Sequence, residues 1–218
     1  MGYSRLSTWT HLNKYLKLSG LLDKIDTLPH YGTSLPEENY FGKTMLELGC
    51  QSIKWKVRAS LNGKTGIAKE YFDSVGIPCV SIDITGCRGA LQVDLRELMS
   101  DEFHDRFDII TNVGTTEHVE PLDTQYQAFK NIHLCCKVNG VMIHLVPLSG
   151  KGHVGHCPVY YTFEFFRRLA LLNDYEIICL EEFVRKEPDF LIGACLRKRQ
   201  DNNFTEAKDE LLQGLMTS

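Results

Sequence analysis

Residues 44–50 read TMLELGC, and similar short apolar runs return at CVSIDI (79–84), ALQVDL (90–95), FDIITNVG (107–114) and GVMIHLVP (140–147). Longer stretches with helical spacing lie between them, near 64–75 and 122–137. Strands alternating with helices imply βαβ units, whose right-handed crossovers give a parallel sheet with helices on both faces. The expected fold class is α/β, a doubly wound sheet. Downstream, TFEFFRRLALLN (162–173) has helical spacing. YEIICLEEF (175–183) and FLIGACLRK (190–198) are joined through RKEPD, a link too short for a crossover, so they should pair antiparallel at the end of the sheet.

Upstream, Leu6, Trp9, Leu12, Tyr15, Leu16 and Leu18 recur at roughly helical spacing and predict one amphipathic helix. A second apolar turn is expected at residues 21–25, and LPHYGTSLP (28–36) breaks helix and strand alike. Residues 1–40 therefore read as a helical extension, 41–199 as one domain, and 200–218 as a polar C-terminal tail in which Leu211, Leu212, Leu215 and Met216 offer a small apolar stripe.

The 218 residues carry 24 Lys+Arg and 28 Asp+Glu, a formal net charge of −4, with 43% hydrophobic residues. That balance supports a full core and excludes global disorder. It also argues against a protein that holds nucleic acid mainly by neutralising phosphates. No window offers the roughly 18 consecutive apolar residues of a membrane helix, and the N-terminal segment lacks the apolar stretch of a signal peptide. The eight cysteines form no C-x-x-C pair and are read as reduced and mostly buried, as in a cytoplasmic protein.

In an open parallel sheet the ligand site lies beyond the carboxyl ends of the strands, beside the point where strand order reverses. The first strand ends Glu47-Leu48-Gly49-Cys50, where the glycine lets the chain turn sharply and approach a ligand. The second ends Asp83-Ile84, the third Asp94-Leu95, and the fourth Asn112-Val113-Gly114, followed by Thr-Thr-Glu117-His118. A carboxylate at the end of the second strand is well placed to accept hydrogen bonds from two ribose hydroxyls. Any one of these acids could equally cap a helix or turn.

Together these strand ends resemble the class I S-adenosylmethionine-dependent methyltransferases, in particular the small-molecule type with Glu-His-Val after strand four. The resemblance covers roughly residues 42–198. It implies a Rossmann-like sheet of seven strands in the order 3-2-1-4-5-7-6, with strand seven antiparallel. It further implies S-adenosyl-L-methionine as cofactor, with Glu47 and Gly49 at its methionine portion, Asp83 at its ribose, and Asp94 and Leu95 at its adenine. Cys50, Ile84, Asn112, Val113 and Gly114 complete the implied cofactor set. The first loop departs from the family pattern E/D-x-G-x-G-x-G, since Gln51 and Ile53 stand where the second and third glycines would be. A non-catalytic binding or scaffold protein of the same fold is therefore the alternative.

Methyl transfer requires an oriented nucleophile and, for some acceptors, a base. Glu117 and His118 follow strand four, and SGKGHVGHCP (149–158) resembles the family's substrate-facing loop. His156, with His153 and His118 behind it, is the expected base, because imidazole titrates near neutrality. Glu117, Tyr160 and Tyr161 are expected at the acceptor, the tyrosines as an aromatic wall. His153, His156 and Cys157 have the right donor types for a metal, but their spacing matches no closed structural site, so no metal is expected. The absence of an Asn/Asp-Pro-Pro-aromatic segment after strand four and of a nucleophilic Pro-Cys there leaves O- or N-methylation of a small acceptor. The segment KWKVR (54–58) keeps a phosphate-bearing or nucleic-acid acceptor open as a further alternative, although a solvated loop accounts for it as well. The extension 1–40 is expected to cover the acceptor side of the pocket.

Overall fold

A computed structural model describes residues 6–21, 42–53, 66–151, 155–186 and 189–217. Helix α1 spans Leu6–Leu18, strand β1 Met45–Leu48, α2 Ala68–Ser74 and β2 Cys79–Asp83. They are followed by β3 (Leu91–Gln92), β4 (Phe107–Val113), α3 (Gln125–Cys135), β5 (Cys136–Pro147), β6 (Val159–Tyr161) and α4 (Phe163–Asn173). The chain ends with β7 (Tyr175–Lys186), β8 (Asp189–Lys198), α5 (Lys208–Leu212) and β9 (Leu215–Thr217).

The main sheet has seven strands in the order β3-β2-β1-β4-β5-β8-β7. Strands β3 to β5 run parallel, and β8 is antiparallel to both β5 and β7. This is the expected order, with β8 as the antiparallel strand. The apolar runs are explained by burial on both faces, since each face of the central strands is covered by helices. Alternate residues go to opposite sides, as the period of a strand requires. Leu46, Leu48, Ile110 and Met142 pack with Phe129 and Ile132 of α3 and Phe165 and Phe166 of α4. Met45, Ile109, Val113 and Ile143 pack with Trp9, Leu12 and Leu16 of α1 and with Tyr71 and Phe72 of α2.

Helix α1 forms over the expected residues and lies on a face of the sheet, where its described residues are apart from the lining of the cleft described below. The reason is its apolar stripe, which is satisfied by the central strands. Residues 22–40, with the second apolar turn and the 28–36 segment, lie outside the described residues. The 200–217 segment is packed: Phe204, Leu211 and Leu215 are buried, and β9 pairs antiparallel with β6.

Tyr15 fixes where α1 sits. Its hydroxyl donates to Glu181 Oε1 of β7 at 2.9 Å, beside Lys14 Nζ at 2.7 Å from the same oxygen. The ring lies over Gly193 of β8, where an added Cβ would come within 1.8 Å of the Tyr15 hydroxyl oxygen. Only glycine fits there while the helix stays docked. Gly193→Ala should thus cost about 1–3 kcal/mol by overpacking, read as a lower urea midpoint. An unchanged midpoint would mean that Tyr15 does not hold this position.

Candidate functional site

A cleft of about 550 Å³ opens at the carboxyl ends of β1 to β4, the place where strand order reverses between β1 and β4. Its walls include Gly49 and Cys50 after β1, Asp83 and Ile84 after β2, Asp94 and Leu95 after β3, and Gly114 after β4. Seven of the residues expected at the cofactor are thus brought together. His118, expected near the acceptor, lines the same cleft.

The loop after β1 makes its turn with one glycine. Gly49 has φ +79°, and a Cβ there would lie 2.4 Å from Thr115 Oγ1 and 2.7 Å from Gln51 Nε2. Those two side chains hold the loop: Gln51 Nε2 donates to the Leu48 carbonyl at 3.0 Å, and Thr115 Oγ1 donates to the same carbonyl at 2.7 Å. Ile53 turns into the core beneath α1 and α2. The two residues that replace family glycines are therefore buried, Gln51 as a clamp and Ile53 as packing.

Asp83 is tied to this loop. Its Oδ2 accepts the Cys50 backbone N–H at 2.9 Å, and its Oδ1 accepts from the Thr85 backbone N–H and hydroxyl at 2.8 and 2.6 Å. Partial burial pushes its pKa up, but the Thr85 and Cys50 hydrogen bonds outweigh that, and the net direction is downward. The carboxylate is thus ionised at neutral pH and keeps lone pairs for further donors. Asp94 is held in the same charged form by Arg96, whose guanidinium meets Oδ2 at 2.6 Å.

Other expected residues stand behind the walls. Val113 is buried in the core beneath α1. Asn112 is fully buried and organises the turn Thr116–His118: its Nδ2 donates to Thr116 Oγ1 at 2.7 Å, and its Oδ1 accepts the Thr116 N–H at 3.2 Å. Tyr161, expected in an aromatic wall, is also fully buried, its hydroxyl 2.7 Å from Thr116 Oγ1 and 2.8 Å from Gln125 Oε1. A hydroxyl has one proton, so Tyr161 donates to the Gln125 carbonyl and accepts from Thr116. Gln125 Nε2 in turn donates to the carbonyls of Thr116 and Val119, both at 2.6 Å. Tyr161 is thus scaffold for the turn, and Tyr160 is buried with its hydroxyl accepting the His156 N–H at 3.3 Å.

This scaffold sets Glu117 and His118 side by side. Glu117 is fully buried, and among the described residues neither of its oxygens has a hydrogen-bond partner. Burial pushes its pKa up to about 7. His118 Nε2 lies 4.0 Å from Glu117 Oε1, and its ring is 5.4 Å from that of His156. Burial, and then His156, lower the pKa of His118, which favours the neutral imidazole. His153 lies outside the described residues, as do 54–58. Cys157 turns away, its thiol donating to the Val159 carbonyl at 3.2 Å. The sequence reading missed Thr115 and Arg96. Thr115 sits in the Thr-Thr-Glu-His run that drew attention for its last two residues, and nothing in the sequence marks Arg96.

No protein-family model matches the sequence, and no curated protein matches it. Solved structures of similar fold include the following two. One is the 1,6-didemethyltoxoflavin-N1-methyltransferase of Burkholderia thailandensis, determined with 1,6-didemethyltoxoflavin and S-adenosylhomocysteine. It is 16% identical, with a TM-score of 0.50 over 88% of this chain and 81% of the other. The other is a candidate sarcosine dimethylglycine methyltransferase from Galdieria sulphuraria, 12% identical, with a TM-score of 0.52 over 90% and 86%. The chain has the class I methyltransferase fold. Among the described residues, no helix of this methyltransferase-fold protein is long and apolar enough to cross a membrane.

Glu47 lies on β1 outside the cleft lining, fully buried, with its carboxyl oxygens making no close hydrogen bond among the described residues. Burial raises its pKa to about 8, against the weaker opposing pull of Ser81 and the Gln51 backbone. The native state then keeps a proton that the unfolded chain releases near the ordinary value of 4.5. The stability this contributes is complete below that value and is lost as pH rises through about 8. Glu47→Gln, permanently neutral, should lose less stability than wild type between pH 5 and 8 in urea titrations. Parallel stability curves for the two proteins would show that Glu47 ionises normally in the fold.

Proposed function

We propose that this protein transfers a methyl group from S-adenosyl-L-methionine to the oxygen or nitrogen of a small acceptor molecule. The observation that carries the reading is the cleft at the strand-order reversal, with an ionised Asp83 at the second strand end and a glycine turn at the first. Two structures of the same fold belong to a methyltransferase and a candidate methyltransferase, and one of them was solved with S-adenosylhomocysteine. These support the reading. So does the placement of the two residues behind the non-catalytic alternative: Ile53 turns into the core, and Gln51, which lines the cleft, has its amide held back on the Leu48 carbonyl.

When bound, the cofactor supplies an electrophilic methyl group on a sulfonium sulfur. The chain's part is to bind and orient. Asp83 accepts the ribose hydroxyls, Gly49 and Gly114 let the backbone approach, and Leu95 with Asp94 flanks the adenine. His118, on the cleft wall, and His156 beside it face the acceptor, and a neutral imidazole there takes up the proton that an acceptor hydroxyl or amine releases. Nothing about the described fold requires a membrane, and eight free cysteines suit a reducing cytoplasm.

The test is calorimetric titration of S-adenosylhomocysteine. Wild type should bind, and Asp83→Asn should bind at least tenfold more weakly, the equivalent of about 1.4 kcal/mol and within what one charge-assisted hydrogen bond contributes. Circular dichroism of the variant checks that the fold is kept. Absence of binding by wild type at millimolar ligand would favour the non-catalytic reading, and equal binding by a folded variant would remove Asp83 from the ribose.

A further inference from the structure

Glu117, His118 and His156 each present one potential ligand atom, and all three atoms lie within 4.8 Å of one another. They come from two segments far apart in sequence, the turn after β4 and the loop before β6, so their meeting is a product of the fold. Glu117 is the unusual member. A carboxyl group with no exposure and two oxygens without hydrogen bonds is costly in either protonation state, because each form loses its water and gains nothing in return. Its rigid surroundings, Asn112, Thr116, Tyr161 and Gln125, are all mutually satisfied and leave it no partner. Two imidazoles, those of His118 and His156, each bring a nitrogen within 4.8 Å of its carboxylate.

We propose that Glu117, His118 and His156 bind one divalent transition-metal ion beside the cleft. Two imidazoles and one carboxylate form the donor set of open catalytic zinc sites, which keep a position for water or substrate, and of facial sites for iron. Magnesium and calcium prefer sets built from oxygen alone. In a tetrahedral site with bonds of about 2.0–2.2 Å, neighbouring ligand atoms stand roughly 3.4 Å apart. The 4.0 Å between His118 Nε2 and Glu117 Oε1 is therefore close to a bound arrangement. The movement needed falls on His118 and His156, whose side chains are exposed, while Glu117 stays fixed.

His118 is shared between this trio and the wall of the cleft. On the methyltransferase reading, an ion here would hold the acceptor through an oxygen, lower the pKa of that hydroxyl and release its proton to water. The oxygen then displaces the sulfonium sulfur, so that the S–CH3 bond breaks as the O–CH3 bond forms. The imidazoles would serve as ligands in that state and not as bases. Acceptors with a chelating pair of oxygens would gain most.

The experiment uses the full chain stripped with a chelator and titrated with Zn2+ by calorimetry and with Co2+ by visible absorption. One ion per chain is expected, with the d–d bands of a four- or five-coordinate Co2+ site. Because replacing a direct ligand costs at least as much as replacing a supporting residue, His156→Ala and Glu117→Gln should each weaken binding by roughly tenfold or more. His156 is exposed, so its variant stays folded even where Glu117→Gln does not. His104→Gln, at a partly buried histidine away from the trio, should bind as wild type does. No binding below millimolar Zn2+, or equal binding by His156→Ala, overturns the site. Titration of S-adenosylhomocysteine into the same metal-free protein reads the methyltransferase proposal separately, since the cleft residues that hold it are none of the three ligands except at the His118 edge.

Discussion

The carbonyl of Leu48 accepts two hydrogen bonds, from the Gln51 amide at 3.0 Å and the Thr115 hydroxyl at 2.7 Å. Leu48 ends β1 and Thr115 follows β4, so this one acceptor joins the two central strands at the point where the sheet reverses its order. The loop after β1 is built around it. Gly49 must take φ +79° with no side chain because Thr115 and Gln51 occupy the space above it. Cys50 then points its N–H at Asp83, which carries the constraint across to β2. A loop with one glycine reaches a closed geometry by fixing side chains instead of freeing backbone.

The same economy appears on the other side of β4. Asn112, Thr116, Tyr161 and Gln125 form an unbroken donor–acceptor chain inside the protein, and its product is a rigid turn carrying Glu117 and His118. Buried networks of this kind are costly when any member is unsatisfied and specific when all are. Here the four side chains satisfy one another, and the unsatisfied carboxyl sits next to them. Asn112, Thr116, Tyr161 and Gln125 have found partners, and the Glu117 carboxyl has not.

The fold was legible in the sequence to the extent that period and burial are. Strands buried on both faces read as continuous apolar runs, as β1, β2, β4 and β5 do; β5 begins earlier than its run, at Cys136, because α3 passes directly into it, and the run at 90–95 yields only the two exposed residues of the edge strand β3. The strand-end acids were legible for the same reason, since locating a strand locates its end. Orientation was not. Tyr160 and Tyr161 read as an aromatic wall, but pairing of β6 with β9 turns Tyr161 inward to the Thr116 turn, and the sequence does not announce a strand in a polar tail. Helix α1 was visible from its stripe, although the surface that it covers depended on Gly193 leaving room for Tyr15. The meeting of Glu117 with His156 was equally hidden. The sequence grouped His156 with its neighbours His153 and Cys157, whereas the chain turns the Cys157 thiol to its own backbone and sets His156 against residues after β4.

The central claim is that the cleft between β1 and β4 is a cofactor site despite its single glycine. A crystal structure determined with S-adenosylhomocysteine tests it most directly. The account predicts density for the ligand in this cleft, with both ribose hydroxyls on Asp83, the adenine against Leu95, and Gln51 still bonded to the Leu48 carbonyl. Ligand density elsewhere on the protein, or a cleft that stays empty at saturating concentration, would contradict it.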